Sequence, residues 1–184
     1  MERQTQYKGL RNHSKETNLL VRECLKKALI LLSEEQAYDE ITITALCKRA
    51  GVSRMAFYRN YGIINDIFTE MVEDLKKEIV KRAGSPLISE SGLEWYEKVF
   101  TILEENRDTI LFLWKKDTPM GWIRTENLTE LGLAEIDTNA KYMRTIWSGG
   151  FERAIGAWLN SRAVIPPKQM AEYCAKYLPQ IPLR

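Results

Sequence analysis

The chain has 184 residues, a net charge of +2, 45% hydrophobic and 28% charged side chains, one histidine and three cysteines. That length buries a proper core as one domain or two small ones, and no window offers the ~20 consecutive apolar residues of a membrane span. The start is too polar for a signal peptide. Cys24, Cys47 and Cys174 are odd in number and far apart, so they read as small buried hydrophobes in a reducing cytoplasm rather than a disulfide frame or metal site.

Met1 to Ser14 is polar, carries Arg3, Lys8, Arg11 and His13, and lacks apolar periodicity. It is expected to be a disordered basic arm. A helix follows from about Lys15 to Glu34. Thr42 then caps a short helix whose apolar face is Ile43, Leu46, Cys47 and Ala50. Gly51 stands where the chain turns sharply, Val52 plugs the turn, and Ser53 caps the next short helix. In that helix Phe57 points inward with Tyr61 one turn on, leaving Arg54, Met55, Tyr58 and Asn60 outside. Two helices in this relation suit a helix-turn-helix that enters a DNA major groove, and equally an ordinary pair in an all-α core.

Beyond it, Asn65 to Ala83 places Ile67, Phe68, Met71, Val72, Leu75, Ile79 and Val80 at helical spacing, closed by Gly84-Ser85-Pro86. Leu93 to Leu103 and Arg107 to Trp114 form two amphipathic helices, Asp117 to Gly121 breaks the pattern, and a helix is expected around Trp122 to Leu133. Ile136-Asp137-Thr138 caps a long helix from Asn139 to Asn160, and Pro166-Pro167 starts a last one to about Tyr177. No stretch alternates as a strand does, so the fold class is all-α. The aromatic residues of the body either line an apolar ligand pocket or fill the core; the candidate ligand contacts are Trp95, Phe100, Phe112, Trp114, Trp122 and Tyr142. With the lone His13 in the arm and no phosphate loop or metal-ligand spacing, no enzyme, cofactor or metal is expected.

Residues 1–61 hold eleven Lys or Arg against seven Asp or Glu, a balance of +4, while the rest carries −2. A basic head on a slightly acidic body fits a DNA reader on a non-DNA body.

Ala50-Gly51-Val52-Ser53-Arg54-Met55-Ala56-Phe57-Tyr58-Arg59-Asn60-Tyr61 resembles the signature of TetR-type transcriptional regulators. The likeness is close over the first third of the chain and architectural beyond it. It implies a three-helix DNA-binding head over residues 1–64, including the arm 1–14, and a helical dimerisation and effector domain over 65–184. Arg54, Met55 and Ala56 then fall at base edges; Thr42, Thr44, Ser53, Tyr58, Arg59 and Asn60 complete the DNA-facing set, with Tyr58 packing its ring inward and its hydroxyl outward. Tyr61 falls at a core aromatic. Two departures stand out. Gly62-Ile63-Ile64-Asn65-Asp66 lacks the lysine the family uses on a phosphate, and Gln36 to Asp39 lacks its usual glycine.

Trp147-Ser148-Gly149-Gly150-Phe151 to Trp158-Leu159 is similar to dihydroxyacetone kinase regulator-like members of that family. The resemblance implies a homodimer joined by its two C-terminal helices through Trp147, Phe151, Ile155, Trp158, Leu159 and Tyr173; the alternative is that the apolar residues of the long helix simply fill a monomer's core. Such a dimer reads a palindromic operator on double-stranded DNA. It further implies a cytoplasmic repressor released by a small-molecule effector of unspecified identity. The alternative is a TetR-like adaptor, DNA-bound or free, that binds protein and has no small-molecule effector.

Overall fold

The computed structural model describes residues 2–84, 92–116, 138–161 and 165–178. Among these, eight α-helices and one short 3-10 turn account for the regular structure, and there is no strand. The helices are α1 (Glu2–Glu35), α2 (Ile43–Ala50), α3 (Arg54–Asn60), α4 (Ile64–Ala83), α5 (Gly92–Glu105), α6 (Arg107–Lys116), α7 (Thr138–Asn160) and α8 (Pro167–Tyr177). The protein is all-α, and no described helix is long and apolar enough to cross a membrane. The helix expected around Trp122 to Leu133 lies outside the described residues. The chain divides into two units, Met1–Met71 and Val72–Arg184, with the division inside α4.

The first unit is built on α1. Leu25, Ala28, Leu29 and Leu32, spaced at three and four residues, are buried, which makes one continuous apolar stripe. Leu46 and Cys47 of α2, Phe57 of α3, Tyr61, and Ile67 and Met71 of α4 complete that core. Polar groups then fix the angles between helices. Arg22 grips the Glu70 carboxylate in bidentate fashion, Lys26 adds a contact at 2.9 Å, and the Arg22 guanidinium lies 5.5 Å from the Tyr61 ring centre. At the other end of α1, Glu35 pairs with Arg49 of α2 at 2.7 Å.

The expectation of a disordered arm needs correction: α1 starts at Glu2 and runs through it without a break. The segment has no apolar stripe, but Glu2, Arg3, Gln4, Gln6, Lys8, Leu10 and Arg11 are good helix formers and no proline interrupts them. Extending a helix already nucleated on a core costs far less than starting one.

The second unit packs α5 against α6 and α8, with α7 against α6 and α8. Trp95, Tyr96, Val99, Phe100, Ile102 and Leu103 give α5 a wide buried face. Phe151 of α7 meets Trp95, Tyr96, Phe100 and Trp147 at centroid distances of 5.4, 5.3, 5.9 and 5.3 Å. The indole N–H groups that this burial would orphan find acceptors: Trp147 donates to the Tyr96 hydroxyl, Trp158 to the Ile165 carbonyl and Trp95 to the Gly84 carbonyl. Arg107 at the start of α6 donates to the Leu159 carbonyl in the last turn of α7 at 2.7 Å, where a cation also meets the negative end of the helix dipole.

Candidate nucleic-acid interface

The α2–α3 pair owes its geometry to short-range chemistry. The Thr42 hydroxyl accepts from the Ala45 amide at 3.1 Å and so caps α2, and Ser53 accepts from the Ala56 amide at the same distance to cap α3. Between them Gly51 adopts φ of +67° and ψ of 28°, a left-handed conformation that an L side chain enters only at a cost. Its amide donates to Lys48, and the Val52 amide reaches back to Cys47 at 3.0 Å, the paired bonds of a Schellman closure. Below the turn Phe57 is wholly buried, with Tyr58 edge-on at 5.3 Å and Tyr61 at 6.1 Å. Burial pushes the Tyr61 phenol up to about 12, against the opposing pull of Arg22. It also raises the Cys47 thiol, which nearby Arg54 only partly offsets. Neither group titrates near neutrality.

The outward side is cationic and apolar at once. From Ile41 to Asn65 there is no acidic residue, against Lys48, Arg49, Arg54 and Arg59. Arg49 is drawn to Glu35, while Lys48, Arg54 and Arg59 are exposed. Met55 is 71% exposed and Tyr58 50%. The Arg54 guanidinium sits 6.0 Å from the Tyr58 ring centre, and hydrogen bonding to Tyr58 raises its pKa further. Thr42, Thr44 and Ser53 are exposed, whereas Ala56 and Asn60 are half-buried. Asn60 spends its amide N–H on the Ala56 carbonyl at 2.8 Å. The sequence-derived set thus converges on one end of the first unit, with Asn60 committed inward. The side chains of Arg3, Lys8 and Arg11 are outside the described residues.

At the start of α4 the chain supplies its own anion. Asp66 Oδ2 accepts from the Gly62 and Ile63 amides at 2.8 and 3.0 Å, so the two amides that would attract a phosphate are already occupied. Its signal was local: an acid three residues after the N-cap position is half of a capping box. The Arg22–Lys26–Glu70 cluster has no such signal, because its partners lie 48 residues apart.

The interface set needs correction. Trp147, Phe151, Ile155, Trp158 and Leu159 are between 0 and 2% exposed within a single chain, so they fill the core of the protomer and offer nothing to a partner. A wide apolar arc on one helix conceals two faces. The large rings turn inward, where they bury the most area, and the opposite face of α7 shows Tyr142 and Ile146, 64 and 59% exposed, with Gly149, Arg153 and Ala157. Of the expected contacts only Tyr173 of α8 is exposed, beside Tyr177.

The ligand set divides too. Trp95, Phe100 and Phe112 are buried. Trp95 meets Phe151 at 5.4 Å and Phe100 meets Trp158 edge-on at 5.2 Å, and Trp114 lies where it would meet any Cβ at Gly156. Tyr142 is on the surface, and Trp122 lies outside the described residues.

No protein-family model and no curated protein matches this sequence.

Proposed function

We propose that the protein is a sequence-specific DNA-binding regulator of the TetR type, a repressor that meets a palindromic operator as a homodimer in the cytoplasm. One observation carries the reading: a capped helix-turn-helix presents Arg54, Met55, Tyr58 and Arg59 outward from a stretch of 25 residues without a single acid. A surface that is cationic and contoured by a helix, with no carboxylate on α2 or α3, complements a phosphate-lined groove. The TetR-like signature in the same residues supports it independently.

In this reading α3 lies in the major groove, Arg54 and Met55 address base edges, and Tyr58, Arg59 and the Thr42–Thr44 end of α2 hold phosphates. The dimer forms through the exposed face of α7 at Tyr142 and Ile146 together with Tyr173 and Tyr177, where Gly149 and Ala157 allow close approach. A small-molecule effector, if the regulator has one, would act by preferring one spacing of the two reading helices over another. The Asp66 carboxylate at the start of α4 favours a second reading, an adaptor that holds proteins rather than DNA, since it repels the phosphate that a lysine would attract.

The test is retention of random-sequence duplex DNA by the full chain, by Arg54→Ala and by Tyr58→Ala, with thermal melts in parallel. Arg54 is exposed and Tyr58 is half-exposed with its ring edge-on to Phe57, so both variants should stay folded and lose DNA. Retention equal to the parent's refutes the site, and loss of folding refutes the assignment of these side chains to the surface.

A further inference from the structure

We infer that Met55 reads the C5-methyl group of a pyrimidine in the major groove, so that the protein distinguishes thymine from uracil and 5-methylcytosine from cytosine at one base pair of each half-site. This rests on the DNA-binding reading above and specifies what that surface recognises.

The side chains of α3 are unequally available. Phe57 is wholly buried. Ser53 has its oxygen on the Ala56 amide and Asn60 its N–H on the Ala56 carbonyl, so the residue type best suited to reading adenine has its donor committed within the helix. Arg54 and Arg59 are exposed cations suited to acceptors on base edges and phosphates, not to an apolar feature. Met55 is the exposed aliphatic side chain of α3, 71% exposed in the first turn, an apolar group in water beside Arg54 with no acid on α2 or α3.

Charge complementarity fixes the occupant as a polyanion, and the side chain fixes which feature of it is touched. Methionine has neither donor nor acceptor for a base edge beyond a weak thioether. It has three rotatable bonds and a polarisable sulfur that mould to an apolar bump. The major groove offers one such bump, the methyl on C5 of thymine. A methyl on C5 of cytosine occupies the same place, so the contact does not depend on which pyrimidine bears it.

The experiment takes a duplex recovered by selection from a random library and replaces, position by position, thymine with uracil and cytosine with 5-methylcytosine. Binding of the full chain, Met55→Ala and Met55→Leu is then measured. One position per half-site should hold thymine and lose about fourfold on removal of its methyl, and in a duplex with cytosine placed at that position the methylated base should bind about fourfold better than the unmethylated one, the worth of a single buried methyl group. Met55→Ala should erase both differences at unchanged melting temperature, and Met55→Leu should keep most of them. Equal affinity for thymine and uracil duplexes at every position overturns this inference and leaves DNA binding standing, as does discrimination that survives in Met55→Ala. Failure of the folded parent to retain any duplex overturns both.

Discussion

Gly149→Ala and Gly156→Ala place the same methyl group on the same helix in opposite surroundings. In a helix interior alanine is favoured over glycine by about 1 kcal/mol, so each substitution starts with that gain. A Cβ at Gly149 would meet nothing within 4 Å, and the gain stands. A Cβ at Gly156 would lie 3.0 Å from Cζ2 and 3.2 Å from Cε2 and Nε1 of Trp114. The indole is rigid, so it must move as a whole or push α7, and overpacking of this kind costs about 1–3 kcal/mol. Gly156→Ala is therefore between neutral and about 2 kcal/mol destabilising, and the two variants differ by about 1–3 kcal/mol. At about 2–4 °C per kcal/mol for a chain of this size, differential scanning calorimetry resolves the gap. Melts at two protein concentrations separate protomer stability from association, because an alanine at exposed Gly149 also touches the proposed interface. Equal shifts in the same direction for both variants would refute the packing of Trp114 on Gly156.

The ion cluster of the first unit gives a pH signature. Burial opposes the charged form of Glu70, but hydrogen bonds and charges from Arg22 and Lys26 outweigh it and hold the carboxyl below its ordinary 4.5. Its contribution is present above that ordinary value and lost as pH falls through the depressed one. Glu70→Gln should cost about 1–3 kcal/mol at neutral pH and flatten the acid limb of melting temperature against pH; an unchanged limb contradicts the pairing. Ser53→Ala removes the α3 cap and should cost about 1 kcal/mol in chemical denaturation, with no loss meaning that the amide is satisfied another way. Ile146→Glu, at a site 59% exposed, should leave the fold intact and abolish the proposed dimer in sedimentation, and a dimer that persists moves the interface elsewhere. With Arg49 drawn to Glu35, the three other exposed cations of α2 and α3, Lys48, Arg54 and Arg59, limit the slope of log affinity against log salt to about −5 for a dimer. A steeper slope would bring the basic residues at the start of α1 onto the DNA.

What the sequence discloses follows the range of the forces involved. The Thr42 and Ser53 caps, the left-handed Gly51 and the inward Phe57 and Tyr61 are legible because each depends on neighbours within four residues. The all-α class is legible for the same reason. The start of α1 is misread because helix extension from a packed segment needs no apolar periodicity of its own. On α7, Trp147, Phe151, Ile155, Trp158 and Leu159 look like an interface, since spacing shows that a helix is apolar over a wide arc without showing which side another helix covers. The α5 helix settles it by covering their rings. Glu70 with Arg22 and Lys26 is invisible beforehand because no local pattern links them.

DNA recognition by α3 is the central claim. Selection of duplexes from a random library at stated salt, with Arg54→Ala alongside, measures it directly. The expected result is a palindrome whose half-sites are about one helical turn apart, recovered by the parent and lost by the variant. Absence of enrichment by a folded dimer, or the same palindrome recovered by Arg54→Ala, would contradict it.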